Sequence, residues 1–206
     1  MNWYKQSKKE DHEKMEDWFK KRTSKHIEFV QKYCKKISEY DEDRFGALME
    51  RGEDHDKSKY EDPEFEPYLY VSWQYKCKED GVDWEPPEGM AERMSRATEH
   101  HVKSNRHHPE FHCDKEVELI NREDRDKPPE EMIDATRMPE LDIAEMVADW
   151  MAMSEEKGSN PKDWAKKNVN KRWKFDQEQE DLIYELIDVV WDLIEDPRNL
   201  PLPKVQ

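Results

Sequence analysis

Glycine is scarce, with five in 206 residues, and runs of β-branched residues are nearly absent. Both absences argue against a fold built on sheets and their tight turns. No stretch is apolar for long enough to span a bilayer. The opening "MNWYKQSKKEDHEK" lacks the apolar run of a secretory leader. Cysteine is limited to Cys34, Cys77 and Cys113, scattered and without a C-x-x-C pair. Neither a disulfide framework nor a thiolate zinc site is expected, and a reducing, cytoplasmic compartment fits. Positive charge is also short: 35 Lys and Arg stand against 51 Asp and Glu, for a formal charge of -16. That balance speaks against non-specific binding to nucleic acid or to an anionic membrane. It leaves room for a small anionic substrate, because a metal or a lysine can reverse the local field. Apolar residues make up 34% and charged residues 42%, the balance of a disordered chain, yet 11% of the residues are aromatic. The expectation is a folded core beneath a heavily charged surface.

What the sequence does have is helical periodicity, and the chain reads as all-α. A first long helix is expected from about Asp11 to Tyr40, with His26, Val30, Tyr33 and Ile37 on one stripe. "DEDRFGALMERGEDH" reads as a second helix, with Phe45, Leu48 and Met49 facing inward. A third is expected to start near Pro63 or Pro67 and to run to "QYKC". The Gly and Pro content of "KEDGVDWEPPEG" marks a loop. "MAERMSRATEHHVKSN" forms a helix that ends before Pro109, and "NREDRDKPPEE" a polar connection. "ELDIAEMVADWMAMSEEKG" follows Pro139 and stops at Gly158. "DQEQEDLIYELIDVVWDLIED" closes the chain as an amphipathic helix, with Leu182, Leu186, Val190 and Ile194 near one face. No repeat and no domain boundary is visible.

The chemical signal lies in histidine. Five of the eight histidines fall in "HHVKSNRHHPEFH", and His55-Asp56 stands alone in "GEDHDKSKYEDPEF". Imidazole with carboxylate suits Fe, Mn, Zn, Co or Ni. Adjacent His55 and Asp56 at a helix end let one ligate terminally while the other bridges two cations about 3.5–4 Å apart. Asp142, Glu145 and Asp149 share one helix face at i, i+3, i+7. Among them, Asp149 lies deep enough in the helix to favour a metal, and Asp142 fits a helix-dipole role. His26 sits among Ile27, Phe29 and Val30, where a hydrogen-bonded core histidine is the common outcome; the HD pair further on favours a ligand. His12, inside "KEDHEK", reads as a solvated surface residue, and His112 as a non-ligand. Adjacent side chains rarely point the same way, so one of His107 and His108 is expected to ligate and the other to face substrate. Lys59 is either a phosphate contact or one lysine of an exposed "KSK" run.

The order His26, His55-Asp56, His101, His107 or His108, Asp149 resembles the HD-domain superfamily. "HDKSK" is similar to its H-D-x-x-K form. "HDKSKYEDPEFEPY", "HHVKSNRHHPEF" and "MPELDIAEMVADWMAMSEEKG" look like a family of small HD-like proteins of uncharacterised function found in phages and bacteria. The resemblance implies a single all-helical domain over 1–206, with its core at about 24–175 and helical extensions at either end. It implies a metal site between helices with His26, His55, Asp56, His101, His107 and Asp149 as ligands to two divalent transition-metal ions. Lys59, Asn105 and Glu145 are then candidate catalytic groups, and Lys59, Lys103, Arg106 and His108 candidate substrate contacts. Most such proteins are phosphohydrolases acting on nucleotides or other small phosphoesters through a metal-bound hydroxide. A minority are mixed-valent diiron oxygenases with four His and two Asp, and this sequence can supply that set. A non-enzymatic metal-binding interaction protein is the remaining alternative; structural zinc sites are mostly rich in Cys, which this set is not.

Overall fold

The computed structural model describes residues 2–114 and 129–192, with side chains described from 11 to 191. The described residues form an all-α fold around one long helix, α1 (Asn2–Tyr40), which at ~1.5 Å per residue is about 58 Å long. It starts nine residues before the expected Asp11. Its buried stripe runs through Met15, Phe19, Thr23, His26, Val30, Tyr33 and Ile37, the three-and-four spacing of a single helix face. The stripe serves two apolar clusters. Met15 and Phe19 pack with Leu69, Met90 and Met94 from α4 (Phe65–Glu79) and α5 (Met90–Ser104). Val30, Tyr33 and Ile37 pack with α6 (Glu140–Lys157) and α8 (Gln177–Ile187). His26 lies at the junction, where the stripe turns from one cluster to the other.

Asp41 ends α1 and caps α2 (Glu42–Phe45) by accepting from the Arg44 N–H at 3.2 Å. The expected second helix is therefore two pieces, α2 and α3 (Leu48–Asp54), separated by a turn at Gly46-Ala47. Phe45 and Leu48 are buried as expected, but Met49 is 47% exposed. The cause is Gly52: a Cβ there would come within 3.2 Å of the Cys34 Cβ, so α3 touches α1 backbone to side chain on the 48/52 edge. That approach rotates Met49 outward.

The loop at "KEDGVDWEPPEG" is present, with Gly81 and Gly89 at positive φ of 68° and 78°. Helix α6 starts after Pro139 and ends at Gly158, whose φ of 60° lets its N–H reach the Glu155 carbonyl. Asn160 caps α7 (Pro161–Asn168), and Asp176 with Gln179 forms a capping box on α8. Gln179 also donates to the Ala135 and Met138 carbonyls at 3.2 and 2.9 Å, tying α8 to the entry of α6. The chain then winds into a π-helical turn over Asp188–Asp192. Leu182, Leu186 and Val190 are buried as expected, and so are Ile183, Ile187 and Trp191. Ile194 and most of "NREDRDKPPEE" lie outside the described residues. Extended pairing among the described residues is slight and parallel: β1 (Ile133–Asp134) with β2 (Trp173–Lys174), and a single bridge between Val169 and Trp173. No described helix is long and apolar enough to cross a membrane.

Candidate metal centre

Helix α3 stops at Asp54, and the chain turns sharply there. His55 is extended in ψ (130°), and Asp56 adopts a left-handed conformation at φ 60°, a region Asp enters more readily than most residues. A 3₁₀ turn over Lys57–Tyr60 follows, with the Lys59 N–H on the Asp56 carbonyl at 3.0 Å. This turn is why two consecutive side chains aim into one space. His55 and Asp56 are 2% and 1% exposed.

The two oxygens of Asp56 divide their neighbours. Oδ2 lies 3.8 Å from Nε2 of both His26 and His55. Oδ1 lies 3.1 Å from His101 Nε2 and 3.8 Å from His107 Nε2. Asp149, from α6, is 3.0 Å from His26 Nε2. His101 comes from the last turn of α5. Beyond it, Asn105 ends the helix in an extended conformation, and the His108 N–H returns to the Asn105 carbonyl at 3.1 Å. His108 is itself extended, as a residue before proline tends to be. The backbone thus folds back, and the His107 and His108 rings lie 4.2 Å apart. Three overlapping groups bring ligand atoms within 4.8 Å of one another: His26, His55 and Asp56; His55, His107 and Asp149; and His101, His107 and His108. The fold-back gathers both His107 and His108, of which one was expected to ligate and the other to face substrate.

The burial of polar atoms makes this cluster unusual. Nε2 of His55, His101, His107 and His108, and Oδ1 of Asp56, are buried with no hydrogen-bond partner among the described residues. A buried polar atom left unpaired costs about 1–3 kcal/mol, and here five of them face one space. Their other nitrogens are well served. The Nδ1 of His26 donates to Glu156 at 2.7 Å, that of His101 to Glu64 at 2.8 Å, and those of His55 and His107 to Glu145 Oε1 at 3.0 and 3.3 Å. A carboxylate only accepts, so His26, which meets Asp149 as well as Glu156, carries a proton on each nitrogen, and His55, His101 and His107 carry one on Nδ1 and turn a lone pair inward from Nε2. That is the preparation found behind metal-ligating histidines. The donor set of imidazole and carboxylate fits a divalent transition metal.

Electrostatics agree. Burial pushes the Asp56 carboxyl up, but Lys59, His55 and His101 together hold it well below the usual range. Burial likewise opposes Asp149, and the His26 hydrogen bond keeps it low. Burial lowers His26, yet Asp149 and Glu156 raise it to about 9. Burial, with like charge from neighbouring imidazoles, depresses His107 and depresses His108 strongly, leaving both free of the proton that would compete with a metal.

Other expected roles are redistributed. Glu145, expected as a catalytic group, stands behind His55 and His107 and pairs through Oε2 with Arg51 at 2.6 Å. Burial pushes it up, but the His107 and His55 hydrogen bonds hold it far below the ordinary carboxylate range, so it is no proton acceptor near neutrality. The Asn105 amide donates to the His101 carbonyl at 2.9 Å and to Ser58 Oγ at 3.0 Å, which fixes the end of α5. Lys103 does not turn to the centre; its ammonium donates to Glu99 at 2.6 Å along its own helix. Arg106 is committed to Asp142 at 3.1 Å. Asp142 lies in the first turn of α6, where a helix-dipole role was expected, and at 1% exposure it is also enclosed by Arg51, Arg106 and His112. Lys59 donates to Asp56 Oδ2, with its ammonium 5.3 Å from the Tyr68 ring. A cleft of about 330 Å³, lined in part by Arg51, Asn105, Arg106 and Glu145, reaches the outer sides of His55 and His107.

Glu64 and Glu156 are functional-site residues that sequence reasoning missed. Glu156 had a signal, since it lies seven residues after Asp149 on the same helix face. Glu64 had none: it sits in an acid-rich segment and is recruited by His100 and His101, 36 and 37 residues away.

Fold and site define an all-helical protein with a buried histidine–carboxylate cluster able to hold metal. The chain belongs to the DUF5662 family, a family of unknown function whose model matches residues 15–189. That span includes every residue of the cluster and its supports. No curated protein and no solved structure matches the chain.

Proposed function

We propose that this protein is an HD-type, metal-dependent phosphohydrolase that binds two divalent ions astride Asp56 and cleaves a nucleotide or another small phosphoester. The observation that carries the reading is the division of neighbours between the two Asp56 oxygens, with unpartnered Nε2 atoms of His55 on one side and of His101 and His107 on the other. A bridging carboxylate between two imidazole-bearing positions is the arrangement that clamps both oxygens of an in-line displacement. His26, His55 and Asp149 would hold an ion on the Oδ2 side, and His101, His107 and His108 one on the Oδ1 side. When bound, the ions supply Lewis acidity to a water nucleophile and to a phosphoryl oxygen.

The chain's own residues do the rest. Asp56 and Asp149 stay ionised and offset the charge of the ions. The Nδ1 hydrogen bonds keep each ligating imidazole in one tautomer. Lys59, beside Asp56 and still 19% exposed, turns its ammonium to the charge that develops on a phosphoryl oxygen. The chain's charge of -16 keeps polyanions away, which suits a small substrate rather than a nucleic acid.

The test is turnover. Protein stripped with chelator and reloaded anaerobically with Mn should release phosphate or a nucleoside from at least one member of a nucleotide panel. Lys59→Ala should lower that turnover more than it lowers metal content. A second reading, a mixed-valent diiron oxygenase, is favoured by the gathering of five histidines and two aspartates in one place, enough for a set of four His and two Asp. Absence of any phosphoester cleavage, together with two irons and a paramagnetic mixed-valent signal that responds to substrate and dioxygen, would replace the hydrolase with the oxygenase.

A further inference from the structure

The carboxylates behind the imidazoles are not equivalent. Glu156 holds His26 alone among the ligands, and Glu64 holds His101 with help from Ser58. Glu145 differs from both. Its Oε1 accepts from His55 Nδ1 and from His107 Nδ1, and its Oε2 accepts from Arg51. His55 belongs to the Oδ2 side of Asp56 and His107 to the Oδ1 side. The two rings lie 4.2 Å apart at 36°, so both lean on the same oxygen from neighbouring directions.

We propose that Glu145 is a positioning residue that couples the two metal positions, whereas Glu156 and Glu64 each support one position only. The inference rests on the two-ion reading above. A single oxygen fixes the tautomer and the tilt of one imidazole from each position. A ring drawn inward by the first ion changes how tightly Oε1 holds the second ring. The carboxylate cannot slide to favour one histidine, because Arg51 anchors its other oxygen and is itself bound to Asp142. Glu145 is therefore a fixed fulcrum, in contact with a ligand on each side of Asp56 and with neither ion. Removing a carboxylate behind a ligating histidine costs about 10–100-fold in metal affinity; here that loss falls on both positions.

The experiment is a Mn-binding isotherm on the whole chain after chelator treatment, read by equilibrium dialysis and by the magnetic coupling of the bound pair. Wild type should bind two equivalents. Glu156→Gln should weaken one equivalent by about 10–100-fold, and Glu64→Gln the other. Glu145→Gln should weaken both and abolish the coupled signal. Arg51→Met releases the anchored oxygen of Glu145, so it should weaken the coupled signal as well as lower the melting temperature. If Glu145→Gln does not fold, Glu145→Asp, which keeps the charge and withdraws the oxygen by one methylene, should likewise weaken both equivalents. Two equivalents bound with unchanged affinity in both Glu145 variants would show Glu145 to be only the structural partner of Arg51, and loss of one equivalent alone would refute the coupling. Either of these results leaves the two-ion reading standing. A wild-type protein that binds fewer than two equivalents would end that reading, and the coupling with it.

Discussion

Two buried charged clusters lie on opposite sides of Glu145, and they are built on different rules. Around Asp142, a 1%-exposed carboxylate meets two guanidinium groups and one imidazole, from Arg51, Arg106 and His112. Around Asp56, the cations are few and the imidazoles many, and four Nε2 atoms end in no partner among the described residues. The first cluster holds α3, the turn after α5 and α6 together. The second is held open by carboxylates placed behind its ligands. Burial alone thus does not separate the two clusters; what separates them is the convergence of several unpartnered imidazole nitrogens on one carboxylate.

The contrast predicts different failures. Asp56→Ala removes the carboxylate shared by both positions and should reduce bound metal to background by elemental analysis, with the helical circular dichroism retained. Metal at wild-type levels in that variant would show that the cluster is not the binding site. Asp142→Ala should do the reverse, destabilising the fold by about 1–3 kcal/mol in denaturant titration, because Arg51 and Arg106 lose a shared acceptor while Arg51 keeps Glu145. The molecules that remain folded should bind metal normally.

The next effect is one of pH. His26 is raised to about 9 by Asp149 and Glu156 against the opposing pull of burial. A raised folded-state value stabilises the metal-free protein fully below about 6.5, its ordinary value, and that contribution is lost as pH rises through about 9. A metal ligand must be neutral, so metal and proton compete for Nε2. The rise in melting temperature on adding Mn should be small at pH 6 and grow towards pH 9. A metal-induced shift that shrinks with pH would contradict the assignment of His26. The smallest effect is that of Lys103→Ala, which breaks only an exposed i,i+4 pair with Glu99. It should change stability by about 0.3–0.5 kcal/mol at most and leave turnover unaltered.

Much of this was legible in the sequence, for physical reasons. Helix class follows from periodicity, and the long α1 stripe and the limits of α6 follow from spacing and from Pro139 and Gly158. The residues of the cluster were visible because histidine is rare enough that five in one short segment cannot be routine, and because Asp149 sits mid-helix beside Trp150. Met49 was misplaced because its orientation depends on how closely α3 meets Cys34 at Gly52, a tertiary fact. Lys103 was misplaced because a local partner one turn away outcompeted a distant site. His107 and His108 were expected to diverge, and the turn at Asn105 brings them together. The supports were the least visible: Glu64 and Glu156 are two of many acidic residues, and only the fold shows which acids stand behind a histidine.

The most direct measurement is anomalous diffraction at the Mn or Zn edge from crystals of the metal-loaded protein. The account predicts two peaks about 3.5–4 Å apart, one beside each oxygen of Asp56, with the first near His26, His55 and Asp149 and the second near His101, His107 and His108. No peak at Asp56 after loading, or a peak at the Asp142 cluster instead, would contradict it.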